Sequence, residues 1–223
     1  MRNALFVLFF FLVATAAYAQ CSYYYLQNNK TVTFGMFDKK GKEDGKYVYK
    51  VSDLTSNGGT TSATIQSEIF DKKGKSLGGG KGTMQCKDGM LMMDMNMLLS
   101  PQQTEQFKDA KMEGKAAFME YPASLSVGQT LPDGSFDMDI TMNNGMAANL
   151  SIQITGRKVE AKEKITTPAG SWEAFKINYE SKTIISMGIP IPIKTQITEW
   201  FVPGFGMIKN STKWGTQELL SIE

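Results

Sequence analysis

Apolar and polar residues alternate with a period of two along most of the chain, and turn residues interrupt the alternation every 8 to 15 positions. This pattern predicts an antiparallel sheet with one face on a core. Residues 48–51 and 63–70 alternate cleanly. Two turns are nearly identical: Phe37-Asp38-Lys39-Lys40-Gly41-Lys42 recurs 33 residues later as Phe70-Asp71-Lys72-Lys73-Gly74-Lys75. Asp opens a type I turn, and Gly accepts the left-handed conformation that closes a hairpin with a G1 bulge. The flanks differ and no third copy follows, so these are two hairpins and not a solenoid.

Residues 91–99 place Leu91, Met93, Met95, Met97 and Leu99 on one strand face, with Asp94 and Asn96 on the other. Ser100-Pro101-Gln102-Gln103 then has the form of a helix start. It predicts one short helix to about Lys111. Residues 128–134 read as loop and divide the chain into possible lobes, 20–127 and 128–223. Strands are expected at 135–142 and 147–156. A hairpin at 159–166 and 172–182 should place Phe175, Ile177 and Tyr179 on one face. Strands at 195–202 and 207–214, and a short one near 219–222, complete the list. The expected fold is all-β: a curved antiparallel sheet, half-barrel or barrel-like.

The N-terminus sets the expected compartment. Arg2 precedes an apolar run over 4–13, and Ala17 and Ala19 form an A-x-A site. This reads as a signal peptide, 1–19, with a single mature β domain, 20–223. The run is shorter than the roughly 20 residues of a membrane-spanning helix, and no later stretch approaches that length. Cys21, just beyond the site, admits two readings. Tyr18-Ala19-Gln20 departs from a bacterial lipobox at two positions, yet lipidation there stays open. The other reading is a Cys21–Cys86 disulfide, as expected for two cysteines in an exported chain.

Charge excludes little by itself, but histidine does. Without Arg2 the net charge falls from +2 to +1, leaving no basic excess for nucleic acid or anionic surfaces. The chain has no histidine. That removes Ser-His-Asp and Cys-His catalysis and the usual zinc and non-haem iron ligand sets. The expectation is therefore no enzyme, no catalytic residue, no metal and no cofactor.

A family resemblance rests on three motifs. The first is Tyr121-Pro122 with Val127-Gly128-Gln129-Thr130-Leu131. The second is Glu163-Lys164-Ile165-Thr166-Thr167-Pro168-Ala169-Gly170 with Phe175-Lys176-Ile177. The third is Glu199-Trp200-Phe201-Val202-Pro203-Gly204-Phe205-Gly206-Met207-Ile208-Lys209. Across essentially the whole mature chain the sequence resembles the TapB family of exported proteins from Gram-negative bacteria, which carry a domain of unknown function. The resemblance implies a curved or barrel-like β fold and supplies no catalytic residues.

Fifteen methionines is high for this length, and Met84, Met90, Met92, Met93, Met95 and Met97 cluster. Thioethers bind Cu(I), but the spacing follows a strand face without His, which favours core or an adaptable apolar pocket. Asp137 and Asp139 fall on one strand face, and Asp133 to Asp139 does not match a calcium loop. Gly78-Gly79-Gly80-Lys81-Gly82 lacks phosphate-loop spacing and reads as a flexible hairpin connection. Tyr23-Tyr24-Tyr25 cannot form one stacking surface if extended. Pro190 and Pro192 exclude a central strand over 188–193. Ile189, Ile191 and Ile193 then form an edge segment, an apolar lid or a partner-docking segment.

The function expected is a non-catalytic exported binding protein of the periplasm or cell surface, for a lipid, an acyl chain or another apolar molecule. Its pocket candidates are Leu91, Met93, Met95, Met97, Phe175 and Ile177. The alternative is an envelope module that docks another protein. A His-free carboxylate hydrolase is a third reading, with no pair of acids to name.

Overall fold

The computed structural model describes residues 21–99, 107 and 109–223. The expected signal peptide and most of the expected helix, 100–106 and 108, lie outside the described residues. Among the described residues thirteen strands form: β1 (Thr31–Asp38), β2 (Glu43–Asn57), β3 (Thr60–Asp71), β4 (Ser76–Lys87), β5 (Met90–Asp94), β6 (Lys111–Gly114), β7 (Phe118–Tyr121), β8 (Gly134–Thr141), β9 (Ala147–Thr167), β10 (Gly170–Met187), β11 (Ile189–Val202), β12 (Gly206–Thr212) and β13 (Gly215–Ile222). They make one antiparallel sheet in the order β6-β8-β9-β10-β11-β12-β13-β1-β2-β3-β4-β5-β7. Among the described residues it stays open, with β6 and β7 as its edges, so it is a curved sheet and not a closed barrel.

The described residues hold no α-helix, only 3-10 turns at Tyr24–Leu26 and Met95–Leu98. Where the helix was expected to end, the Ala110 amide donates to the Phe107 carbonyl (3.0 Å). Lys111 then pairs with Thr141, because the β8 ladder satisfies its backbone. The repeated turns form as expected. Asp38 Oδ1 accepts from the Lys40 and Lys42 amides, and Asp71 Oδ1 from those of Lys73 and Lys75. The glycine run 78–82 is not a loop but the interior of β4. A Cβ at Gly79 would meet the Ser67 carbonyl of β3, so glycine is what lets these strands approach.

Curvature brings strands distant in the sheet onto one continuous core, from Val32 and Phe34 of β1 to Leu150, Ile152 and Ile154 of β9. The N-terminal segment plugs it. Tyr23, Tyr24 and Tyr25 are all buried, because the 3-10 turn replaces the alternation of an extended chain. Tyr24 donates its amide to the Phe205 carbonyl (3.1 Å) and its hydroxyl to that of Met207. Tyr23 donates to the Gly89 carbonyl (2.8 Å). Gly206 leaves room for the Tyr24 ring, since a Cβ there would come within 2.6 Å of Cε1.

Cys21 and Cys86 form a disulfide that fastens this plug to β4 across 65 residues. A thioether acyl anchor would need the same Cys21 sulfur, so the two modifications are mutually exclusive. Closing a loop of this length restricts the unfolded chain by about 4 kcal/mol. Cys86→Ala is expected to lower stability by about that amount in urea unfolding. A loss within error of zero would show that the plug is held by its tyrosines alone.

Candidate functional site

A cleft of about 240 Å³ opens on the inner face of the curved sheet. One wall carries Tyr47 and Tyr49 of β2, Tyr25 of the plug, Met93 of β5, and Met97 and Leu98. The other carries Tyr179 of β10, Ile197 of β11 and Met207 of β12, with Asn210, Thr212 and Gln217 as its polar part. The rings are ordered against one another. Tyr47 and Tyr49 stack (centroids 5.5 Å apart, planes 20°), and Tyr25 meets Tyr49 edge-on (5.9 Å, 85°). Asn210 Nδ2 donates to Gln217 Oε1 (2.9 Å). Burial raises the hydroxyl pKa of Tyr25, Tyr47, Tyr49 and Tyr179, so the walls offer neutral phenols, aromatic faces and thioethers. A larger groove of about 730 Å³ over β2–β4 is lined by Ser, Thr, Gln, Gly, two acids and Lys81. No aromatic, aliphatic or thioether side chain lines it.

The methionine segment departs from simple alternation. β5 ends at Asp94, whose Oδ1 accepts from the Asn96 amide and side-chain amide (both 2.9 Å). The chain then coils into the 3-10 turn. In consequence Met93 and Met97 reach the cleft, whereas Leu91 and Met95 are buried in the core. A Cβ at Gly82 would overlap Met97, so that glycine seats the turn on β4. Opposite Lys176 and Ile177 of β10, β9 carries one extra residue, Glu160. Ala174, Ile177 and Tyr179 are buried and Phe175 is half-buried beneath Lys162. Neither Phe175 nor Ile177 lines the cleft, and Tyr179 does. Asp137 and Asp139 are exposed. Among the described residues no group of three or more His, Cys, Asp or Glu is placed to hold a metal.

Behind Tyr179 lies a polar cluster that periodicity did not reveal. Glu199 Oε2 accepts hydrogen bonds from the hydroxyls of Tyr179 and Tyr121 (3.0 Å each). Arg157, with no exposed surface, lies over the Tyr121 ring at 4.8 Å. Its Nη1 donates to the Glu120 and Pro132 carbonyls (2.8 and 2.9 Å). Among the described residues no direct ion pair joins Arg157 to Glu199, so their charges act across Tyr121. Two features of the sequence, unused above, mark its members. Arg157 is the single arginine beyond Arg2, and Glu199 sits at core parity between Ile197 and Phe201.

Desolvation raises the Glu199 carboxyl pKa, opposed by Arg157 and the two phenols. The folded chain therefore holds this proton at a pH where the unfolded chain, at 4.5, has lost it. The associated stability is fully present below the unfolded value and is lost as pH rises through the raised folded value. Glu199→Gln should flatten that part of the stability–pH curve in urea titrations. Removing one charge alone leaves the other uncompensated, so Arg157→Met should cost about 3–5 kcal/mol. Adding Glu199→Gln should recover part of it, and strict additivity would show that the two charges are uncoupled.

A search of curated proteins finds no match to this chain. Two solved structures share its fold. One is described as an exported protein with a YmcC-like fold from Bacteroides fragilis: TM-score 0.66, 21% identity, covering 88% of this chain and 96% of the other. The second is described as a lipoprotein from Parabacteroides distasonis: TM-score 0.72, 16% identity, covering 92% and 100%. A family model matches residues 27–222. The chain belongs to the DUF3108-like family.

Proposed function

We propose that this chain is a non-catalytic exported binding protein whose inner cleft takes a small apolar ligand, such as one acyl chain. The observation that carries the reading is the 240 Å³ cleft walled by tyrosine rings, methionines, Leu98 and Ile197. It is a little smaller than the roughly 300–1,000 Å³ usual for small-molecule sites. That size suits a single chain or ring and not a whole diacyl lipid. Methionine lets such walls adapt to different chain shapes. Export is supported by the leader pattern at 1–19 and the disulfide, and by the exported protein and lipoprotein that share the fold. The finer likeness to TapB-like proteins rests on turn and strand-end motifs and adds no site residue.

The non-catalytic part of the reading is supported by chemistry. With no histidine in the chain, the strongest acid–base candidate is Glu199. It is 2% exposed and bound to two phenols, so a substrate in the cleft meets Tyr179 and not the carboxylate. A second reading, an envelope docking module, is favoured by the exposed isoleucines Ile189, Ile191 and Ile193.

Native mass spectrometry of the protein from its own envelope fraction, with organic extraction, should show one apolar molecule per chain. Met97→Glu places a charge in the wall and should weaken binding of a fluorescent fatty-acid probe by about tenfold or more. A bare wild-type protein that also ignores the probe would overturn the reading.

A further inference from the structure

The β10–β11 hairpin ends in an apolar tip that neither the core nor the cleft uses. Ile189 is 83% exposed and Ile191 64%, with Met187 and Ile193 exposed beside them. The turn between β8 and β9 lies alongside, since Asn149 pairs with Ser186, and it exposes Met146. Neither tip carries a charge over 141–152 or 183–193. Behind the apolar part, Lys182 and Lys194 stand directly opposite each other. Like charges in that arrangement repel. Glu180 meets Lys194 (3.3 Å), and Glu113 meets Lys111 (2.8 Å) on β6. Asp139 Oδ1 accepts from Asn149 Nδ2 (3.1 Å).

We propose that these two tips dock the protein on a lipid bilayer, with Ile189, Ile191 and Met187 entering the interface and Lys182 and Lys194 at phosphate level. Three observations favour lipid over a protein partner. β11 pairs with β12 only from Ile197 onward, so among the described residues 189–196 form a free edge. Pro190 and Pro192, two apart, both withhold a donor from that edge, which blocks addition of a strand. The patch also lacks the Trp, Tyr and Arg that anchor protein interfaces. The lysines suit a membrane surface, since Lys194 lies roughly 16 Å along the strand from Ile189 and its flexible stem can reach headgroups.

The test is flotation of the oxidised, unacylated chain with vesicles of phosphatidylethanolamine and phosphatidylglycerol. The wild type should float with them. Ile189→Asp, Ile191→Asp and Met187→Asp should each reduce binding by about tenfold or more with an unchanged unfolding midpoint. Lys182→Glu should weaken binding to these vesicles and spare binding to pure phosphatidylcholine. Met97→Glu, in the cleft, should float normally, which separates this proposal from the ligand reading. No flotation, or flotation indifferent to all three aspartates, would overturn it. So would a wild-type dimer that Ile191→Asp dissociates without any vesicle binding.

Discussion

The buried contact among Arg157, Tyr121, Glu199 and Tyr179 is the constraint on which the rest of the structure depends. Among the described residues the open sheet of thirteen strands has no hydrogen-bonded closure to set its curvature. Here the edge strand β7 is drawn over β9 and β11, far from it in strand order, by the Glu120 carbonyl and the Tyr121 ring and hydroxyl. Each contact is directional, and each group is too polar to be left alone in the core. A slide of the sheet would orphan a guanidinium or a carboxylate. An apolar core of the same volume would tolerate such a slide more easily.

The cleft follows from that closure. Its walls come from β2 and β5 on one side and from β10 to β12 on the other, so its width is set by how far the sheet curls. Tyr179 belongs to both features, with its ring in the cleft wall and its hydroxyl on Glu199. The N-terminal plug completes the arrangement. It fills the interior between the walls and is tethered at Cys86, so Tyr25 is held rigidly as part of the cleft.

The molecule thus separates two kinds of apolar surface. The first lines the inner cleft, with phenols, thioethers and a polar part at Asn210, Thr212 and Gln217. The second is a charge-free hairpin tip at the periphery, built on an edge that prolines make unable to pair. A cleft suits a small ligand, and a projecting tip suits an extended surface. The two share β10 and β11: Tyr179 and Ile197 face the cleft, and the far ends of the same strands, beside those of β8 and β9, form the tip.

The alternation of apolar residues was enough to determine an antiparallel sheet, because a period of two permits one buried face. Asp38, Gly41, Asp71 and Gly74 likewise determined their turns through local hydrogen bonds, and Pro190 with Pro192 determined an edge. Irregularities of the ladder were decided only by the tertiary structure. Gly156, at φ +67°, bulges β9 and is held by the Asp133 carboxylate through its amide (2.9 Å). That single inserted residue turns Arg157 inward beside Val159, where plain alternation would put it in solvent. Asp94 likewise converts a Met strand into a turn. A one-residue slip reverses every later side chain. Its position depends on loop and cross-sheet partners remote in sequence, so local periodicity could locate the sheet but not the faces that build the cleft and its buried charges.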